Sequence, residues 1–187
     1  MEYLTRLTPN FFCWEKPSGR DGKCKGHLFE DGNDFGWEEW LLKDYHANKK
    51  RPEHVCTGFI QAFNGKNQNR AVTTLHLYTR VCNNQSGIAP GCYYLGWIDD
   101  VIIENNESLE LDEVNESLLN VDVHQFPAPP FQNVKFKVKN VHFHCPKKNK
   151  TMSINLDVGQ FRFALYDLSK HTKIKREIRR IHQQNNL

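Results

Sequence analysis

From Val55 onward, short runs of β-branched and aromatic residues recur along the chain, and this recurrence limits the fold more than any other feature. Residues 55–63, 72–80, 93–103, 134–138 and 161–166 each have the length and composition of a strand. The run Val134-Lys135-Phe136-Lys137-Val138 alternates strictly, which predicts a half-exposed strand with both lysines on its wet face. Residues 64–69 read as a hairpin-like loop between the first two runs. Gly96, inside the third, marks a bulge or a close backbone approach. Residues 34–45 have Trp37, Trp40, Leu41 and Tyr45 at helical spacing behind Asp34 as a candidate N-cap. Residues 108–119 read as a second, acidic helix. Ser169 is the candidate cap of a basic stretch whose Ile174, Ile178 and Ile181 form one narrow stripe. That stripe either docks on the sheet or begins a connection to something else. The sum predicts an α+β fold, a small, partly open antiparallel β-barrel with peripheral helices. Residues 1–168 are expected to form one domain, and 169–187 a basic C-terminal helix or linker.

No apolar run approaches the roughly 20 residues that span a bilayer. The start, Met1-Glu2-Tyr3-Leu4-Thr5-Arg6, lacks the basic-then-apolar order of a signal peptide. The six cysteines are irregularly spaced, so reduced thiols and a cytoplasmic location are expected, with sequons such as Asn106-Glu107-Ser108 as chance matches. Motifs for nucleophilic, phosphate-binding, dinucleotide-binding and zinc-hydrolase chemistry are missing from the chain. His142-Phe143-His144-Cys145 groups three metal-ligand types, but alternation on a strand turns Cys145 away from the two histidines. No catalytic residue, metal or cofactor is therefore expected, and the chain reads as a binding domain rather than an enzyme.

The net charge is only +3, but its distribution is uneven. Residues 99–122 contain acids and no Lys or Arg, whereas 16–25, 43–51 and 170–180 are basic. Trp14, Phe35, Trp37 and Trp40 gather in the glycine-rich first third, outside the strong β pattern and beside those basic stretches. Any single tryptophan there is most simply core. As a group they suit a cage for a flat ring, with Asp34 or Gln61 reading its hydrogen-bonding edge. Lys16, Arg20, Lys23, Lys25, Lys49, Lys50 and Arg51 are the candidate phosphate contacts.

Specific segments carry a resemblance. Residues 7–20 (Leu7-Thr8-Pro9-Asn10-Phe11-Phe12-Cys13-Trp14 onward) and 35–41 (Phe35-Gly36-Trp37-Glu38-Glu39-Trp40-Leu41) resemble the N-terminal domains of certain bacterial HNH endonucleases. Gly58-Phe59-Ile60-Gln61-Ala62-Phe63, Tyr94-Leu95-Gly96-Trp97-Ile98 and the 161–166 run continue the likeness in the same order. Trp37 departs from it, since that position is usually His. Such domains resemble the PUA superfamily of YTH, EVE, ASCH and SRA-like readers. The resemblance implies a barrel that flips a modified, methylated base of double-stranded DNA into an aromatic cage. It also implies a role as the specificity domain of a modification-dependent restriction system, with a nuclease domain in the same or a partner chain and no membrane partner. Three other readings stay open: a reader of methylated RNA, a protein-interaction module whose acidic 99–122 segment binds a basic partner, and a small nuclease.

Overall fold

The computed structural model describes residues 1–16, 37–63, 72–82, 87–104, 132–147, 150–156 and 165–187. The strands are β1 (Glu2–Leu7), β2 (Val55–Gly58), β3 (Val72–Val81), β4 (Gly91–Ile103), β5 (Val134–Lys137), β6 (Val141–Phe143), β7 (Met152–Ser153) and β8 (Leu165–Asp167). The described helices are α1 (Lys43–Asn48) and α2 (Thr172–Asn185). The strands form one sheet in the order β2-β5-β4-β3-β1-β8, with β6 and β7 also paired to β4. The class is α+β. The sheet is open, with β2 and β8 as its ends, and it is mixed rather than antiparallel. β1 runs parallel to β3, from Glu2 opposite Thr74 to Leu7 opposite Thr79, and antiparallel to β8 on its other side.

Several local expectations change for physical reasons. The 55–63 run does not continue as a strand. β2 stops at Gly58, and Gln61–Phe63 forms a 3-10 turn. There the side chain of Asn133 takes the place of a neighbouring strand, accepting from Ile60 N at 2.9 Å and donating to Ile60 O at 2.9 Å. β2 pairs with β5, not β3, and residues 64–69, read as a hairpin-like loop, lie outside the described residues. The 34–45 helix divides into a 3-10 turn (Trp37–Trp40) and α1. The candidate cap Asp34, and the 108–119 helix, lie outside the described residues. Ser169 does not cap α2; its hydroxyl and N–H both donate to Asp167 Oδ1, closing a turn before the helix begins. The 134–138 alternation stands, with Val134 and Phe136 buried and Lys137 exposed.

Both faces of the sheet are covered. On one, Leu75, Leu77, Leu95 and Ile98 pack with Trp14, Leu41, Ile60 and Phe136. On the other, Leu4, Tyr78 and Tyr94 receive Ile174, Ile178 and Ile181, so the narrow stripe of α2 docks on the sheet. Each of these isoleucines contributes roughly 2 kcal/mol by burial.

β4 serves both faces because of one extra residue. Leu77 pairs with Gly96 and Tyr78 with Tyr94, so Leu95 is the unpaired residue of a bulge, at the glycine that marked it in the sequence. Without it, Tyr94 and Trp97 would point to opposite faces. With it, both look toward α2. Gly96 has φ +113°, and a Cβ there would lie 1.9 Å from the carbonyl oxygen of His142 on β6. Gly96→Ala should therefore cost roughly 3 kcal/mol or more, through backbone strain and overlap together. Gly91→Ala, where the nearest atoms to the new one are those of the Tyr93 side chain, its hydroxyl closest at 3.4 Å, should be mild. Urea denaturation of the two variants checks this, and equal midpoints would refute it.

The cysteines require a correction. Cys13 and Cys145, 132 residues apart, are joined by a disulfide with a Cα–Cα distance of 5.1 Å. Cys82 is also disulfide-bonded, while Cys56 and Cys92 are free thiols. Irregular spacing along the chain carries no information about proximity in space. The expectation of reduced thiols fails for these three residues, and the cysteines no longer argue for a reducing compartment. No helix among the described residues is long and apolar enough to cross a membrane.

Candidate functional site

Three of the sequence segments singled out above meet at one place. Asn10 is buried and organises the turn that follows β1: its Oδ1 accepts from Phe12 N at 2.8 Å and Trp14 N at 2.9 Å. Its Nδ2 donates to Lys16 O at 2.7 Å and to Glu39 Oε2 at 2.8 Å. Glu38, also buried, accepts from Thr8 N and Thr8 Oγ1 through Oε2, and from Gln61 N through Oε1 at 2.9 Å. The adjacent acids of the Trp37–Trp40 turn thus clamp residues 8–16 on one side and 59–63 on the other. Burial pushes the Glu38 carboxyl above its ordinary range, and the Gln61 and Thr8 donors with nearby Arg6 offset part of that rise.

The tryptophans of the expected cage are enclosed. Trp14 is 0% exposed and packs edge-on against Phe143 at 5.4 Å, and Trp40 is 3% exposed. Neither presents an accessible ring face here. Gln61 is half-buried, with its backbone N–H held by Glu38. Trp37 lies in the 3-10 turn, and its side chain is outside what the structure describes; so are Phe35, Asp34, Arg20, Lys23 and Lys25. Among the described residues of this region, the exposed aromatic is Phe12, at 47%, with Lys16 Nζ 4.7 Å above its ring. Lys49, Lys50 and Arg51 are exposed at the end of α1, with Lys49 over the Tyr45 ring.

A second assembly was not anticipated from the sequence. His76 on β3, Trp97 on β4 and His142 on β6 are cross-strand neighbours in one row. Trp97 and His142 stack with centroids 4.4 Å apart and planes 15° from parallel, and His182 of α2 leans on Trp97 at 4.8 Å. Asp99 edges this ledge. It accepts from Trp97 Nε1 at 3.1 Å and Thr74 Oγ1 at 2.8 Å, and lies 3.5 Å from His142 Nε2. Beneath it, the Tyr94 hydroxyl bonds His76 Nδ1 at 2.7 Å and His182 Nε2 at 2.9 Å. His142 is 43% exposed, so the ledge has one open face. The sequence grouped His142 with His144 and Cys145 as metal-ligand types and Trp97 within a strand-like run, but gave no sign that the two would meet. Their meeting depends on the bulge and on the docking of α2.

The expected pH dependence follows from His76. Desolvation, then the nearby His182, pushes it down from 6.5 to about 4. Between these values the unfolded chain holds a proton that the folded chain does not. This contribution to stability is therefore full above about 6.5 and is lost as pH falls toward 4. The His182 and His144 shifts have the same sign. The urea midpoint should drop across that window, and the drop should shrink in His76→Gln; an equal drop in the variant would exclude His76 as its source. Glu38→Gln should cost about 2–3 kcal/mol, because its amide would face donors that now find a carboxylate. Equal denaturation midpoints for parent and variant would show that the Glu38 clamp holds nothing.

Comparisons of the chain with protein-family models, with curated proteins and with solved structures found no match.

Proposed function

We propose that this chain binds nucleic acid, and that its target is double-stranded DNA carrying a modified base. The observation that carries the reading is the clamped turn at residues 8–16. Two buried carboxylates and a buried asparagine hold it rigid, and it presents an exposed aromatic ring beneath a lysine. Burying carboxylates is expensive, and a fixed loop that combines an aromatic face with a cation is a use that offsets the cost. Lys49, Lys50 and Arg51 supply cations at the end of α1, and Arg176 and Arg179 add exposed charge on α2. In this reading the chain delivers specificity, and the chemistry belongs to a nuclease domain elsewhere. The PUA-like architecture is part of the same proposal.

A specific observation favours a second location for the base. The open face of the Trp97–His142 stack, edged by Asp99, is a ready stacking surface next to the basic helix α2. The two locations make different predictions.

The test is a fluorescence-anisotropy titration of one duplex in unmodified, N6-methyladenine, 5-methylcytosine and 5-hydroxymethylcytosine forms, with a methylated RNA strand alongside, at fixed salt. Tighter binding of one modified duplex is expected. Phe12→Ala should weaken it by about 1–3 kcal/mol if the clamped turn stacks the base, and His142→Ala by a similar amount if the ledge does. Replacing Lys49, Lys50 and Arg51 by Gln should weaken all duplexes alike and flatten the salt dependence by about one unit per lost phosphate contact. Preference for the RNA strand would move the target to methylated RNA. Equal weak binding to every form, unchanged by these substitutions, would overturn the proposal in favour of a protein-interaction module.

A further inference from the structure

At the junction of α1 and β2, three side chains of different chemistry converge. Asp44 comes from α1, His54 from the residue before β2, and Cys56 from within it. Positions 54 and 56 are two apart along an extended chain and therefore share a face. α1 brings the carboxylate to that face. One ligand atom from each residue lies within 4.8 Å of the other two. His54 Nε2 is 3.0 and 3.1 Å from the two carboxylate oxygens of Asp44. Asn48 Nδ2 donates to Asp44 Oδ1 at 2.6 Å and so orients the carboxylate from outside. Cys56 is a free thiol with no exposed surface, while Asp44 and His54 are each about one-third exposed.

The fold around this cluster adds an independent reason to look for a ligand. α1 has six residues, none of them buried, and no side-chain hydrogen bond caps its start. A helix that short does not hold itself together in water. The His54–Asp44 contact is one of the few that tie it to β2. A catalytic Cys-His-Asp reading fails on access, because a substrate carbonyl cannot reach a sulfur with no exposed surface. A small ion entering from the side of Asp44 and His54 meets no such barrier.

We propose that Asp44, His54 and Cys56 form a zinc-binding site that fastens α1 to β2. Thiolate, imidazole and carboxylate together suit this borderline ion. Asp44 and the Cys56 thiolate balance its two charges. The ion takes the place of the hydrogen bond between His54 Nε2 and the Asp44 carboxylate; His54 binds it as the neutral imidazole with its proton on Nδ1, and a proton displaced from Nε2 leaves to solvent. Binding also releases the thiol proton of Cys56 to solvent. Three protein ligands leave a fourth position for water on the exposed side. The role is structural: the ion fixes the turn that carries Lys49, Lys50 and Arg51. The site stands whether or not those residues meet phosphate.

The test uses the full chain with its disulfides oxidised, stripped by a chelator and titrated with cobalt(II) alone and zinc alone. Cobalt should give a thiolate charge-transfer band in the near ultraviolet that saturates at one equivalent and disappears on adding zinc. Zinc should raise the melting temperature. Cys56→Ser should abolish the band, whereas Cys92→Ser, at the other free thiol, should leave it intact. Should Cys56→Ser fail to fold, Asp44→Asn and His54→Ala, at partly exposed positions, decide the matter. With circular dichroism unchanged, each should weaken cobalt binding at least about tenfold. The absence of a band on the folded chain, its survival in Cys56→Ser, or binding in Asp44→Asn and His54→Ala equal to that of the parent would each overturn the proposal.

Discussion

The close approach of β6 to β4 at Gly96 is the constraint on which most of this structure depends. Two backbones meet there with no room for a side chain, and the extra residue beside them reverses the facing of everything that follows on β4. Leu95 and Ile98 then serve one core, while Tyr94 and Trp97 serve the other. The histidine and tryptophan ledge, the hydroxyl bridge from His76 to His182 and the seat of α2 all follow from that single change of register. A flat strand of the same sequence would place Trp97 against Leu75 and Leu77, and α2 would lose the aromatic floor beneath it.

A second constraint is electrostatic. Glu38 and Glu39 are carboxylates taken out of water at the border of the core, where each must find donors or destabilise the fold. The donors come from segments far apart along the chain, Thr8, Asn10 and Gln61, so satisfying the acids fixes the path of two loops at once. The Cys13–Cys145 bond secures the same turn to the end of β6. The turn bearing Phe12 and Lys16 is thus held by a polar network on one side and by a covalent bond on the other, an arrangement suited to recognition by a preformed surface.

How far the sequence could be read depended on whether a feature was local. The alternation of 134–138, the strands at 72–80 and 93–103 and the glycine of the bulge were legible, because their causes lie within a few residues. The isoleucine stripe of α2 was visible, but its docking partner was not. The parallel pairing of β1 with β3, the substitution of Asn133 for a strand neighbour and the bond from Asn10 to Glu39 were hidden, since each joins residues dozens of positions apart. The same limit misled the reading of the site. Trp14 and Trp40 were conspicuous as tryptophans in a polar stretch, and nothing local distinguished a ring turned inward from one turned outward. Trp97 and His142, which stack on each other with His142 exposed, lay in segments whose meeting no local pattern announced.

The position of β1 bears on how the molecule folds. β1 lies between β3, some 70 residues further along the sequence, and β8, some 160 residues further along. Neither of its ladders can form until one of those distant segments has come back to it. Closing such long loops costs entropy before any contact offsets it, which slows folding. The centre of the sheet is therefore tied to its most distant contacts, and β1 and β8 gain their places together rather than one turn at a time.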